Sequence, residues 1–214
     1  MSSKKVQDGT KEIRDGNGAL RRCDSYKNGK LDGVVDKYHS DGRLDKRISM
    51  NQGKIDGTSA KYDKKGLVQR AFQHKEGVLE GEVKSYKNGK LHSVMVFKEG
   101  KRHGDALFYD PEGNLVTKMP YVDNEKQGNM ISYNEAGNVL RAMPYVKGKK
   151  QGQSKSFYPS GEVMKTVDYE NDLKHGRMIH YFRNGSPYKV AHYKNGKLVE
   201  PATAISPDGE VFYT

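Results

Sequence analysis

Residues 26–33 have the sequence Tyr26-Lys27-Asn28-Gly29-Lys30-Leu31-Asp32-Gly33, and the final glycine belongs to a series that runs along most of the chain. These anchor glycines recur every 24 residues, with one step of 23: Gly9, Gly33, Gly57, Gly81, Gly104, Gly128, Gly152 and Gly176. A second series, the turn glycines, has the same period: Gly18, Gly42, Gly66, Gly89, Gly113, Gly137, Gly161, Gly185 and Gly209. A fixed period of this length is typical of repeat architectures.

A third, interrupted series of glycines marks a further set of turns: Gly29, Gly53, Gly77, Gly100, Gly148 and Gly196. Asn124 and Asp172 fill its gaps, and these are the residue types that best tolerate a positive φ after glycine. Pairs such as Asn28-Gly29 lie between short β-compatible runs, which is a strong hairpin signal. Each 24-residue unit is therefore predicted to be strand, turn, strand, turn.

The pattern predicts an all-β fold, because no stretch free of Gly and Pro has the length and 3.6-residue periodicity of an amphipathic helix. We expect an elongated, twisted, single-layer antiparallel β-meander of about eight hairpin repeats, with roughly 17 strands spaced by about 4.8 Å. The repeat array is predicted to occupy residues 1–199. Residues 200–214 are predicted to form a cap, since Glu200 replaces the anchor glycine and Pro201 and Pro207 interrupt the pattern.

The composition fits a repeat protein better than a compact globule. Only 34% of residues are hydrophobic and the net charge is +11, whereas ordinary domains contain about 45–50% apolar residues. The sequence contains no run of about 20 apolar residues for a membrane-spanning helix and no apolar core of a signal peptide. As it stands, the sequence predicts a cytoplasmic protein; removal of a leader would make it periplasmic.

Strand alternation assigns side chains to faces. Counted from the turn glycines, positions +2, +6 and +8 are mainly apolar or aromatic, and we call the face that they share the packed face. Position +4, the basic column, lies on the same face: Arg22, Lys46, Arg70, Ser93, Thr117, Arg141, Lys165 and Lys189. The methionines at position +6 are interpreted as gap-filling core residues.

The basic column has two interpretations, and the sequence leaves both open. In one, the long stems lie along aromatic rings while the charged groups reach water. In the other, the column recognises an acidic partner, and tyrosines beside it act as anchors. On the second interpretation the predicted partner-binding residues are Lys46, Arg70, Tyr121, Arg141, Tyr145, Lys165, Tyr169 and Lys189.

The sequence offers no catalytic or cofactor motif, so we expect a non-enzyme without cofactors. His103 and His175 precede anchor glycines and are predicted to be solvated turn residues, with no ligand pattern for a metal. Cys23 has no recurring histidine that could activate it. The glycines form neither a Walker A nor a dinucleotide-binding motif.

The segment quoted above, followed by Tyr38 and Asp41-Gly42, resembles a MORN repeat, and most closely the bacterial variant Tyr-x-Asn-Gly-Lys-Leu-x-Gly. Similar segments occur at residues 86–104, 145–161 and 193–198. Bacterial proteins with such repeats are often described as antitoxins or immunity proteins, and eukaryotic ones are linked with membrane lipids and scaffolding. The resemblance thus implies a protein that binds and blocks a cognate toxin.

Other partners follow from the charge. A toxin with an acidic surface is the expected partner, and anionic membrane lipid is the alternative. Basic residues that alternate with tyrosine on a sheet also suit single-stranded nucleic acid. We do not expect that partner, because the aromatic residues occupy architectural positions of the repeat.

Overall fold

The computed structural model of the chain describes residues 8–206 and 208–213, so Pro207 of the predicted cap lies outside the described residues. Strands and turns account for the regular structure there, and no helix has the length and apolarity needed to cross a membrane. The chain divides into two compact units, Met1–His103 and Gly104–Thr214. Each unit is built of antiparallel hairpins.

The first unit contains eleven of the described strands, which follow one another with short turns. They are β1 (Gly9–Arg14), β2 (Leu20–Lys27), β3 (Lys30–Tyr38), β4 (Leu44–Asn51), β5 (Lys54–Ile55), β6 (Gly57–Tyr62), β7 (Val68–Lys75), β8 (Val78–Leu79), β9 (Gly81–Lys87), β10 (Lys90–Lys98) and β11 (Lys101–Arg102). Each long strand pairs with the long strand before it, as a meander requires.

The second unit contains thirteen described strands with the same connectivity. They are β12 (Gly104–Tyr109), β13 (Leu115–Val122), β14 (Glu125–Lys126), β15 (Gly128–Tyr133), β16 (Val139–Val146), β17 (Lys149–Lys150), β18 (Gly152–Phe157), β19 (Val163–Glu170), β20 (Leu173–Tyr181), β21 (Pro187–Lys194), β22 (Lys197–Leu198), β23 (Thr203–Ile205) and β24 (Val211–Tyr213). Neighbouring long strands again pair antiparallel.

The predicted all-β meander of hairpin repeats is confirmed, but the expected 17 strands become 24 in the described residues. Short two-residue strands account for much of the difference. Each of them pairs with the end of the preceding long strand just after the turn, and the regular pairing is interrupted before the next long strand begins. The C-terminal segment also contributes two strands rather than one. It closes its hairpin with the same turn as the repeats, since Ser206 N donates to Glu210 O at 2.8 Å. A capping role for this segment stays a prediction.

Two kinds of turn alternate along the chain. At the turn glycines, most hairpins close with a five-residue turn such as Asp63–Leu67, where Gly66 N donates to Asp63 O at 3.0 Å and Leu67 N donates to Asp63 Oδ1 at 2.9 Å. The other turns have two central residues with positive φ, as in a type I′ turn. Asn124 and Asp172 adopt φ of 75° and 71° there, which confirms the prediction from the interrupted glycine series.

The buried side chains concentrate on the packed face. In the second unit, position +6 supplies Met119, Met143, Val167 and Ala191, and Met143 is only 1% exposed. Small or apolar residues of the paired strand lie directly opposite, such as Ala106 beside Met119. Most other side chains are half-buried or exposed, because a single layer of strands buries residues only against their neighbours in the same sheet.

The residue before most of the anchor glycines contacts the turn of the next repeat. We call this interaction the turn clamp. Asp56 Oδ2 accepts a hydrogen bond from Glu76 N at 3.0 Å, and Gln151 Oε1 accepts one from Asn171 N at 3.0 Å. His175 occupies the same position, and its Nδ1 lies 3.3 Å from Asn195 Oδ1. The prediction of a solvated turn residue describes only part of its environment, because the side chain is half-buried against the neighbouring turn.

The repeat with the 23-residue step has a different turn. Between β9 and β10 the chain reverses at Asn88-Gly89, with φ of 52° and 78°, so Gly89 sits in a two-residue turn rather than a five-residue one. The register then shifts between Leu91 and Ser93, which restores the normal pairing of the next residues. The Tyr86 copy of the MORN-like motif therefore lies at a turn of the turn-glycine series, whereas the Tyr26 copy lies at a turn of the interrupted glycine series.

Candidate partner-binding site

A row of basic side chains crosses the packed face of the first unit. Its members lie directly opposite one another on five consecutive long strands, and we call them the cationic row: Arg22, Lys37, Lys46, Lys61 and Arg70. Like charges that face each other across strands destabilise a sheet. The row ends at Ser85, which pairs with Arg70.

The charges in this row are compensated at one end only. Arg22 forms an ion pair with Asp24, which is 2% exposed and also lies near the hydroxyl of Tyr26. In the described part of the chain, no carboxylate lies within ion-pair distance of the other four members. By contrast, Arg47 on the opposite face binds both carboxylate oxygens of Asp36 at 2.9 and 2.8 Å.

A groove of about 670 Å³ lies along the cationic row. Lys46, Lys61 and Arg70 line it together with the apolar side chains of Ile48, Ile55 and Phe72. The Arg70 guanidinium lies 5.2 Å from the centre of the Phe72 ring, a cation–π contact.

His74 also lines this groove. Its Nδ1 is buried without a hydrogen-bond partner, and burial lowers the pKa of the imidazole below its ordinary value of 6.5. The imidazole therefore resists a positive charge.

The second unit carries a related row on its packed face. Arg141, Lys165, His180 and Lys189 occupy it, with Ser132 and Ser156 as neighbours of Arg141. Burial lowers the pKa of Lys165, and the charges of Lys174 and Arg141 lower it further. Burial and the charges of Lys165 and Lys189 likewise lower the pKa of His180. The Nε of Arg141 is buried without a hydrogen-bond partner.

A second set of lysines lies on the tyrosine rings of this unit. Lys126, Lys150 and Lys174 stand 4.9, 5.5 and 4.6 Å from the ring centres of Tyr145, Tyr169 and Tyr193. Each lysine comes from the segment just before an anchor glycine, and each ring belongs to the next repeat. The expected stacking of basic stems on rings therefore occurs, but mainly through these lysines. Within the basic column, Arg70 is the member that stacks in the described residues.

All eight predicted partner-binding residues lie on packed faces. Lys46 and Arg70 flank Lys61 in the first unit, and Arg141, Lys165 and Lys189 share a row in the second. Tyr169 is half-buried, whereas Tyr121 and Tyr145 are 9% and 8% exposed, so they present little ring surface. Burial raises the pKa of Tyr145. A partner-binding role for these residues stays a prediction.

The sequence reasoning missed the cations on the intervening strands, namely Lys37, Lys61 and His180. A signal for them was present, because all three stand four residues after an anchor glycine. Counting from both glycine series would have placed them opposite the basic column.

The described residues give little support for a metal site or for a reactive cysteine. No three His, Cys, Asp or Glu side chains there come together as a metal site. Burial raises the pKa of the Cys23 thiol, and the nearby carboxylates of Glu12, Asp36 and Asp24 raise it further. The thiolate, which is the reactive form, is therefore disfavoured.

Each repeat thus combines an anchor glycine, a clamped turn and a half-buried aromatic residue on one face. Three segments match the MORN repeat variant. They are residues 102–123, 150–171 and 174–195. The resemblance inferred from residues 26–33 is therefore supported by these repeats in the C-terminal half of the chain, while an antitoxin or immunity context has no such support. Repeats of this kind typically form binding modules, and these three segments point to a repeat-based binding module at that coarse level.

No match was found among curated proteins. Among solved structures, the chain is similar to the crystal structure of TcdB2-TccC3-Cdc42 with 13% identity and a TM-score of 0.24, over 94% of this chain and 13% of that one. Crystal structures of TcdB2-TccC3-TEV and TcdB2-TccC3 give 12% and 14% identity, with TM-scores of 0.22 and 0.18. Each match again covers 94% of this chain, and 12% and 14% of the other. The chain thus spans about an eighth of the length of these proteins.

Proposed function

We propose that this protein is a non-catalytic, protein-binding repeat module that acts as an antitoxin or immunity protein. It neutralises a cognate bacterial toxin by binding an acidic surface and occluding the active site. The observation that carries the proposal is the run of cations from Lys37 to Arg70, which faces no carboxylate of its own sheet in the described residues. The MORN-variant segments support the binding role.

The mechanism is stoichiometric and electrostatic. Four like charges held in register lower the stability of the free protein by mutual repulsion. A partner that places carboxylates against them removes this repulsion on binding. The positive face also accelerates the first encounter with an acidic surface, because opposite charges steer diffusion. Antiparallel pairing fixes the row beforehand, so little backbone entropy is lost in the complex.

The test is inhibition of the toxin encoded next to the gene. We expect the purified protein to form a stable equimolar complex with it and to abolish its activity. A chain with Lys46→Glu and Lys61→Glu is expected to bind at least tenfold more weakly. The matched control is Lys64→Glu with Lys65→Glu, which makes the same charge change at an exposed turn of the same unit. A toxin that stays fully active in excess protein contradicts the proposal.

Acidic phospholipid is the second candidate partner, because the lysines on the tyrosine rings of the second unit give that face a further set of cations. Basic residues near an anionic membrane surface each gain about 1 kcal/mol. Flotation with phosphatidylserine vesicles separates the two functions. Salt-sensitive binding to these vesicles but not to phosphatidylcholine vesicles, without toxin inhibition, selects the membrane role. Absence of binding to both removes it.

A further inference from the structure

We infer that the groove of the first unit receives one segment of the protein partner, in which an apolar side chain stands next to carboxylates. This inference rests on the proposed function and specifies the chemistry of the contact. The groove is defined by Lys46, Lys61 and Arg70 on one side and by Ile48, Ile55 and Phe72 on the other.

The size and lining of the groove suit a short peptide segment rather than one side chain alone. Its volume of about 670 Å³ lies within the range of about 300–1,000 Å³ that is typical of ligand sites. Apolar side chains that enter such a groove are stabilised because their apolar surface is removed from water. Ile48, Ile55 and Phe72 are half-buried in the free protein, so they still have surface to cover.

The arrangement of charge fixes which residues must accompany that side chain. Lys46 and Arg70 lie on either side of Lys61, and adjacent strands are about 4.8 Å apart, so the outer two cations stand roughly 10 Å apart. In an extended segment, residues i−1 and i+1 lie about 7 Å apart. Carboxylates that flank one apolar residue can therefore reach this set of cations with their side chains.

The cations and the apolar residues form neighbouring bands. Ile48 and Phe72 each follow a member of the cationic row by two residues on the same strand face, a displacement of about 7 Å. A purely anionic ligand leaves the apolar band in water, and a purely apolar one buries cations without partners. An acidic segment with one apolar side chain satisfies both bands.

The experiment measures binding of labelled peptides to the full chain by fluorescence anisotropy at low salt. The probe is acetyl-Glu-Asp-Phe-Asp-Glu-amide. Two comparison peptides replace Phe by Gly, which keeps the charge, or all four acids by their amides, which keeps the ring. We expect the probe to bind at least tenfold more tightly than either, and Lys61→Gln with Arg70→Gln to weaken it at least tenfold.

The control variant is Lys64→Gln with Lys65→Gln, which removes the same charge at an exposed turn and should leave the affinity unchanged. Equal binding of the Phe and Gly peptides, or an equal loss with the control variant, overturns the inference. Its failure is distinguishable from failure of the proposed function. If the Phe and Gly peptides bind equally, while the toxin is inhibited and Lys46→Glu with Lys61→Glu weakens its binding, the groove inference falls and the proposed function stands. If the probe binds as expected but the toxin is not inhibited, the proposed function falls and the chemistry assigned to the groove stands.

Discussion

At the residue scale, the two glycine series serve different needs. Turn glycines such as Gly161 have positive φ but open space where a side-chain methyl group would lie, so only the backbone conformation demands glycine. Several anchor glycines also lie close to a neighbouring strand. A Cβ on Gly176, at φ 106°, would lie 2.9 Å from Asp168 Oδ2 and 3.0 Å from Asp168 Cβ. At such anchor positions, glycine is therefore favoured both by the positive φ and by the nearby side chain of the neighbouring strand.

Substitution of the two glycines by alanine separates these effects. Gly161→Ala is expected to cost about 1–2 kcal/mol from the positive φ alone. Gly176→Ala carries the same strain and also displaces Asp168, which accepts a hydrogen bond from Arg177 N at 2.9 Å. We expect Gly176→Ala to lower the thermal midpoint clearly more than Gly161→Ala, as followed by circular dichroism. Equal midpoints in the two variants would show that the close approach has no energetic weight.

Two histidines are expected to make the stability depend on pH. Burial lowers the pKa of both His74 and His180 below 6.5, so the unfolded chain binds protons more readily than the folded one. Stability is therefore present above pH 6.5 and is lost as the pH falls through 6.5 toward the lower folded values. Thermal midpoints between about pH 7.5 and 5 should fall less in a chain with His74→Gln and His180→Gln. His92→Gln, at an exposed position, serves as the control.

At the element scale, the turns were largely predictable from the sequence because their cause is local. Asn124 and Asp172 indicated positive φ, and the structure has it. The turn clamp was not predictable in this way, because its partners lie about 20 residues apart and meet only when two repeats pair. A turn at Asn88-Gly89 was predictable, but its two-residue form was not. By spacing, Gly89 belongs to the turn glycines, whereas its local sequence matches that around Asn28-Gly29, and strand pairing decides between the two turn types.

The turn clamp leads to a prediction for Gln151. Gln151→Ala removes the acceptor for Asn171 N, at a cost of about 0.5–1.5 kcal/mol, whereas Gln151→Glu keeps an acceptor and should retain most of the stability. Hydrogen exchange at the Asn171 amide should accelerate in the alanine variant. Gln153→Ala, which removes a bond to Asp168 instead, should leave that amide unchanged. Identical exchange rates in all the variants would show that the clamp does not contribute to local stability.

At the scale of the whole molecule, the charge of +11 is unevenly compensated. Some cations on the opposite faces have carboxylate partners, as in the pairs Lys118–Asp105 and Arg47–Asp36, whereas the rows on the packed faces largely lack them in the described residues. The basic column could be predicted from the sequence, since its spacing is periodic. The shortage of partners could not, because it depends on which face each carboxylate occupies.

Salt should therefore stabilise the protein. Raising NaCl from about 20 to about 500 mM screens repulsion within the rows, and we expect the thermal midpoint to rise by about 3 °C or more. Lys165→Gln removes a partly buried cation, so it should raise the midpoint at low salt and reduce the salt effect. Lys155→Gln, at an exposed position of the paired strand, should do neither. A midpoint that falls with salt would contradict the idea of uncompensated rows.

The turn clamp has a consequence for how such an array changes in length. In five repeats its acceptor is Asp, Glu or Gln and what it holds is a backbone N–H, so a junction between two of these repeats does not depend on which of them meet. Loss of residues 128–151 would bring Gln127 next to Gly152, where it could accept the bond from Asn171 that Gln151 accepts now. Gene duplication or deletion in steps of 24 codons thus yields chains whose junctions are already complete, and the reach of the array can evolve separately from its stability.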